Sequence, residues 1–294
     1  MHRAFLRPII AACALLGLLA PNLRADPASG SASIPVSTDS GGWFSVVDQT
    51  QAAQPHWMTP IATVTPRLEE EFRYDQTWQK LPTGARLDNF DSGKGLELIP
   101  ARDIEVILGM PPYEERSRPA ESGFADWPFL LIKYRILSAN EQNGNYIVSA
   151  FLQGTAPTGA TVFTNRQYVV TPTLAAGKGW GDFDVQATVG ATLPTQHVEV
   201  TGRTLVSNVA FQYHVDRLFW PEVELNDTAW LDGPRSGKSQ TFLTPGLVIG
   251  RIPLEGRFRL AVGVGYQTAI SGTTVKPAVP TYNHAWILSV RTPF

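Results

Sequence analysis

Phe258-Arg259-Leu260-Ala261-Val262-Gly263-Val264-Gly265-Tyr266-Gln267 alternates with a period of two: the even positions are bulky and apolar, and the odd ones carry Arg, Ala, Gly and Gln. A strand sends successive side chains to opposite faces, so one face of this segment meets an apolar phase and the other does not. The polar face mixes small with charged residues, where a solvated sheet face more often carries Lys, Glu and Thr throughout. The same alternation runs through Phe183, Val185, Ala187, Val189, Ala191 and Leu193 against Asp184, Gln186, Thr188, Gly190 and Thr192. Leu205, Val209, Phe211 and Tyr213 repeat it against Asn208, Ala210, Gln212 and His214.

Composition agrees with a strand-rich chain. The 294 residues include 25 Gly and 23 Pro, too many breakers for a mainly helical protein. Only 17% of residues are charged and no long apolar run follows the first twenty residues, which excludes a helical membrane protein. A net charge of −2 gives no basic excess, so nucleic acid is not an expected partner.

Alternating windows bounded by Gly, Pro and Asn/Asp clusters give about twelve strands between Pro66 and Phe294, with ten or fourteen also compatible. The connections alternate in length. Those at 100–103, 138–145, 176–181, 216–217 and 254–256 are short or modest; those at 79–94, 111–126, 155–165, 194–201, 231–240 and 271–282 are longer. Short turns on one rim and long loops on the other describe an antiparallel transmembrane β-barrel with both termini on the periplasmic side. A soluble β-sandwich has no reason to alternate so regularly.

The first residues fit export. Arg3 and Arg7 precede an apolar stretch too short to span a bilayer, and Leu23-Arg24-Ala25 offers a cleavage site, so residues 1–25 read as a signal peptide. Cys13 lies within that stretch, which leaves the mature chain without disulfides or thiolate metal sites. Residues 26–59 begin with a small, polar tract and read as a flexible N-terminal extension, with 41–50 apolar enough to dock inside or beneath the domain; residues 60–294 form the barrel. The last strand places Trp286, Leu288, Val290 and Phe294 on one face, which resembles the signal by which barrel assembly machinery recognises outer-membrane proteins. Thr292 and Pro293 depart from that pattern. Aromatic residues crowd the strand ends, as in the girdles that seat a barrel at the lipid headgroups.

Several short motifs in order resemble one family. They are Thr65-Pro66-Arg67-Leu68-Glu69-Glu70-Glu71-Phe72-Arg73-Tyr74-Asp75, Gly123-Phe124-Ala125-Asp126, Ile132-Lys133-Tyr134-Arg135, Pro157-Thr158-Gly159, Trp220-Pro221-Glu222-Val223-Glu224 and Thr244-Pro245-Gly246-Leu247. The order resembles the outer-membrane proteins of the phenol-degradation meta-pathway, a family grouped as transporters. The resemblance covers roughly 60–294 and implies an outer-membrane barrel.

Charge is expensive on a lipid-facing surface, so the charged phase of each strand is expected to face inward. This assigns Arg67, Glu69, Glu71, Arg73, Asp75, Lys133, Arg135, Glu222, Glu224, Arg257, Arg259 and Arg291 to the lumen. They either select solutes along a polar pore or fill the lumen as Arg–carboxylate pairs. Glu69-Glu70-Glu71 makes a poor calcium site because Glu70 points the other way. Gly263-Val264-Gly265 is no nucleotide loop, since no helix follows. A hydrolase would need a serine, a histidine base and an orienting group at the outer rim; His56, His197, His214 and His284 show no such arrangement. The expected role is therefore an outer-membrane channel or transporter for small molecules, hydrophobic or aromatic ones among them, without a cofactor and not an enzyme. Its partners are outer-membrane lipid, the assembly machinery and the solute. The alternatives are a non-conducting structural or adhesive barrel and, further off, an outer-membrane hydrolase.

Overall fold

The computed structural model describes residues 42–92, 94–271 and 281–294. The expected signal peptide, with Cys13, and residues 26–41 of the expected extension lie outside them. Twelve antiparallel strands close into a ring. In order around the wall they are β1 (Glu71–Lys80), β3 (Gly95–Ala101), β4 (Ile104–Gly109), β7 (Trp127–Ala139), β8 (Tyr146–Ala156), β9 (Val169–Trp180), β10 (Phe183–Pro194), β11 (Thr204–Tyr213), β12 (Phe219–Trp230), β13 (Ser239–Pro253), β14 (Arg259–Ala269) and β15 (His284–Pro293). β15 closes on β1 in continuous register from Glu71↔Pro293 to Lys80↔His284. Closure leaves no strand edge unpaired at this seam, which is the condition for a sheet to sit in lipid.

Three further strands, β2 (Arg86–Phe90), β5 (Tyr113–Ser117) and β6 (Ala120–Phe124), pair in the order β1-β2-β5-β6. They continue β3, β4 and β7 beyond the ring, each after a break. Asp91 has a positive φ of 68° between β2 and β3, and Pro111-Pro112 withholds two ladder donors between β4 and β5. The segments 79–94 and 111–126 were expected as long loops. Much of each is instead strand, in which Arg86 pairs with Asp88 and Arg116 with Glu121. Charge on both faces hides the period of two there, because these strands stand beyond the apolar belt. Of the other long connections, 155–165, 194–201 and 231–240 fall on one rim and the five short ones on the opposite rim, as expected; most of 271–282 lies outside the described residues.

The wall has the inverse of a soluble protein's pattern. Leu174, Tyr134 and Trp286 are 57%, 53% and 53% exposed on the outside, while Arg73, Lys133 and Glu224 are 2%, 1% and 0% exposed within. β14 shows the origin of this in its sequence: Ala261, Gly263, Gly265 and Gln267 are buried inward, and Val264 is exposed outward. Trp180, Tyr213, Phe219 and Phe258 are exposed at the short-turn rim, where Trp180 stacks on Phe183 with ring centroids 6.2 Å apart. These rings form one girdle.

The candidate functional site in the lumen

The inside of the barrel is occupied by the chain's own residues 42–70. Trp43–Ala52 forms α1, a helix of ten residues bounded by Gly42 and Pro55. A helix this short is marginal alone, so its stability comes from what it docks against. Thr50 Oγ1 donates to the Arg102 carbonyl (3.0 Å), and Arg135 Nη1 donates to the Thr50 carbonyl (2.9 Å). Ser138 and Asn140 cap the helix end by donating to the carbonyls of Ala53 and Ala52. All these wall residues lie at the short-turn rim, which puts α1 in that mouth. Val47 packs there with Leu68 and Ile99.

From Ala53 to Glu70 the chain passes through the lumen without regular structure. Pro55, Pro60 and Pro66 prevent a helix or a ladder, so the wall must satisfy the main-chain groups. Glu222 accepts from the Ile61 N–H (2.9 Å), and the two oxygens of Glu224 accept from the N–H groups of Ala62 (2.7 Å) and Thr63 (2.6 Å). Glu105 accepts from the Glu69 N–H (2.6 Å). The carbonyls are met by cations, a hydroxyl and an amide. Arg291 donates to Thr59 and Pro60, Arg73 to Ile61 (2.7 Å), Ser149 to Pro66 (2.6 Å) and Gln186 to Met58 (2.9 Å). Arg251 donates to the carbonyls of His56 (2.7 Å) and Trp57 (2.8 Å).

Apolar packing supplements these bonds. Trp57, Met58 and Ile61 of the plug form one buried cluster with Ile147, Trp220, Val248, Ala261 and Ile287 of the wall. Glycines make the room. A Cβ on Gly177 would lie 2.5 Å from the Trp57 ring, and one on Gly246 would lie 2.6 Å from Ile61 Cδ1. A cavity of about 50 Å³ remains between plug and wall beside Arg73 and Lys133, and two larger ones, of about 500 and 290 Å³, open at the short-turn mouth.

Above the plug, toward the long-loop rim, the lumen lining loses its charge. Gln267 Nε2 donates to Asn226 Oδ1 (3.0 Å) and Thr244 Oγ1 (2.9 Å), and Asn226 joins Asn208 and Thr63. Tyr282 stacks on Phe242 with centroids 4.5 Å apart, and its hydroxyl donates to Gln267. The lumen therefore has two layers, a charged one that grips main chain and an uncharged one of amides, hydroxyls and rings.

Of the residues assigned to the lumen by sequence, Glu71, Arg73, Asp75, Lys133, Arg135, Glu222, Glu224 and Arg291 are buried on the inner face of the wall. Arg73 pairs with Asp75 (2.8 Å), and Lys133 with Glu105 (2.8 Å). Arg67 and Glu69 are also in the lumen and pair with each other (2.7 Å), but they belong to the plug: the first strand begins at Glu71, not Pro66. Arg257 is not in the lumen, and Arg259, the first residue of β14, lines only its short-turn mouth. Arg257 sits on the exposed 254–258 turn, bonded to Asp48 of α1 (3.2 Å for one pair) and 4.6 Å from the Phe44 ring centroid. The hydrogen bond from Arg257 holds the Asp48 carboxyl below the usual range. Arg259 donates to the carbonyls of Gly256 and Phe258 at the rim. The three consecutive glutamates diverge, with Glu70 accepting from Trp43 Nε1 and the Ile99 N–H. Trp286, Leu288 and Val290 share the outer face of β15, and the Phe294 ring lies 5.8 Å from that of Phe258.

The extension was expected to be flexible over 26–59. Residues 42–59 are ordered in the lumen, because the wall supplies partners the segment lacks by itself. Sequence reading also missed Glu105, Gln186 and Arg251 as plug contacts. Glu105 stands alone in a short apolar run, Gln186 was visible only as part of a polar phase, and Arg251 is set inward by a bulge between Ile249 and Ile252. Among the described residues no serine hydroxyl hydrogen-bonds to a histidine ring.

No protein-family model and no curated protein matches the chain. Solved structures do. An outer-membrane channel from Pseudomonas putida F1 superposes with a TM-score of 0.51 over 76% of this chain and 94% of that one, at 15% identity. The NanC porin (TM-score 0.47, 7% identity, 76% and 98% covered) and the KdgM porin in complex with disordered oligogalacturonate (0.45, 11%, 76% and 99%) are also similar. The fold is thus the closed twelve-stranded antiparallel barrel found in an outer-membrane channel.

Proposed function

We propose that the protein is an outer-membrane channel or transporter for small molecules, whose path is occupied by residues 42–70 in the conformation described. One observation carries the reading: the lumen is filled by a separable segment, held mainly through wall side chains to its main chain, and not by the wall's own side chains packed against one another. A barrel built only to be solid would fill its core with apolar layers as soluble barrels do. Here the wall keeps a polar lining that water or solute can occupy once the segment shifts. Residues 1–25 act as the export signal, and 26–41 connect it to the plug. The uncharged layer around Asn226, Gln267, Phe242 and Tyr282 suits a neutral, hydrophobic or aromatic solute, as the resemblance to the phenol-degradation family implies. Catalysis has no constellation to support it.

The filled lumen also favours a second reading, a non-conducting structural barrel. Planar-bilayer recordings separate the two. The mature protein should show rare, small openings, and a form lacking 26–70 should conduct at least tenfold more. Silence from both forms, each folded by circular dichroism and heat-modifiable on gels, would leave the structural barrel.

A further inference from the structure

Across the seam where the ring closes, the outer face carries two adjacent rows of side chains. Cross-strand partners point to the same face, and so do residues two apart along a strand. Tyr266, Trp286 and Trp78 form one row over β14, β15 and β1 through the pairs Tyr266↔Trp286 and Trp78↔Trp286. Both tryptophans are exposed, and the rings of Tyr266 and Trp286 lie 5.0 Å apart. Two residues further toward the long-loop rim, the pairs Lys80↔His284 and Lys80↔Arg86 set His284, Lys80 and Arg86 side by side over β15, β1 and β2. On the membrane side of the aromatic row, a groove of about 380 Å³ runs between Trp78, Trp286, Val264 and Leu288, with no charged residue in its lining.

The basic row has bonding capacity left over. Lys80 Nζ donates to the Gly84 carbonyl (2.6 Å) and has no carboxylate partner among the described residues, so two of its three N–H donors are unused. The Arg86 side chain is 66% exposed; its Nε lies 3.0 Å from Asp88, and its two Nη groups have no partner among the described residues. The His284 ring leans toward Tyr266, with centroids 5.7 Å apart. Two carboxylates share this face. Asp88, level with Trp78, is taken by Arg86, and Glu115 pairs with Asp88 one strand further out, two strands from Lys80. Elsewhere toward the same rim the outward row is Ser207, Asp227 and Thr241, a carboxylate without a cation, so this level of the outer face is not uniformly basic.

A lipid with an acidic headgroup has the matching arrangement, with chains at the level of the groove and phosphate at the level of the row above the rings. Lysine and arginine stems lie along apolar surface while their heads stay at the polar level, and a phosphate accepts charge-assisted bonds from both. We propose that this face binds one phosphate-bearing membrane lipid, a chain in the groove between Trp78 and Trp286 and the phosphate on Lys80 and Arg86, with His284 beside it. Bound there, the lipid bridges β15 and β1, the last and first strands of the ring, and so stabilises closure.

The test is native mass spectrometry of the mature protein released from detergent micelles, with dimyristoyl phosphatidate and dimyristoyl phosphatidylcholine added in equal amounts. One phosphatidate should be retained per barrel, at least tenfold more often than phosphatidylcholine. The melting temperature should rise with phosphatidate and not with inorganic phosphate. Lys80→Gln with Arg86→Gln removes both cations from the rim and should abolish the preference. Lys178→Gln, at an outward lysine beside Tyr146 on the opposite rim, should leave it unchanged. Val264→Trp fills the groove, keeps the charges and should lower retention at least fivefold, with folding of each variant checked by heat modifiability on gels. Equal retention of the two lipids, a preference that survives the double replacement, an equal loss in Lys178→Gln or undiminished retention in Val264→Trp would overturn the proposal. So would a melting shift with inorganic phosphate alone, which would make the row a site for a free anion. None of these results depends on whether the barrel conducts.

Discussion

Replacing Glu224 with leucine should open the barrel. Its two oxygens take the N–H groups of Ala62 and Thr63, and the carboxylate is fully buried. Leucine fits the space but accepts nothing, so two main-chain donors are stranded unless the plug moves. Each stranded donor costs ~1–3 kcal/mol, which makes the seated plug about 2–6 kcal/mol less favourable. Glu222 secures one further N–H, that of Ile61, so the double replacement Glu222→Leu, Glu224→Leu should go further. Open probability in planar bilayers should rise at least tenfold, with a lower melting temperature. Glu224→Gln keeps one acceptor oxygen and should lie between. Wild-type conductance and melting in the double variant would show that the clasp does not set the plug's position.

Lys133→Met should be the more damaging change to stability. Lys133 and Glu105 form a pair in which neither side chain is more than 1% exposed, and Glu105 also accepts the Glu69 N–H while Lys133 donates to the Arg67 carbonyl (3.3 Å). Losing the ammonium leaves a buried carboxylate uncompensated, at a cost of ~3–5 kcal/mol. Removing both charges with Lys133→Met and Glu105→Leu should recover much of that loss, because the desolvation penalty of the carboxylate goes with it. Recovery stays incomplete, since the plug has then lost two bonds to the wall. Thermal unfolding of the two variants reads the difference; a double variant no more stable than the single one would contradict it.

The wall was legible in the sequence because lipid outside and polar groups inside impose a strict alternation on β9 to β15. It was less legible over β2, β5 and β6, where strands beyond the apolar belt carry charge on both faces and the period disappears. Lumen charges could be assigned by phase wherever a strand was identified, which succeeded for Glu71, Arg73, Asp75, Lys133, Arg135, Glu222, Glu224 and Arg291. Phase placed Arg67 and Glu69 in the lumen but on the wrong element, because Arg67-Leu68-Glu69 alternates like a strand although the chain there is still the plug. It failed for Arg257, which a turn without phase holds outside, while Arg259, the first residue of β14, has the inward phase but reaches only the short-turn mouth. The plug itself had no periodic signal at all. Its three prolines and polar main chain look like linker until the wall's acceptors and donors are seen opposite them, a complementarity that lies about 160 residues away between Ile61 and Glu222. The glycines at 177, 246, 250 and 263 were visible, yet a glycine on a strand's inner face says only that something approaches closely, not what.

If solute passes only when the plug moves, a reversible lock on the plug should stop it. A Cβ on Gly263 would lie 3.0 Å from Ile61 Cγ1, so cysteines at 61 and 263 fall within disulfide reach, and the only native cysteine, Cys13, precedes the expected cleavage site. With Ile61→Cys and Gly263→Cys oxidised, single-channel recordings should be silent, and a reductant added to the same bilayer should restore the openings of the unmodified mature protein. Equal conductance before and after reduction, with the crosslink verified by mass, would show that the path does not run through the plugged lumen.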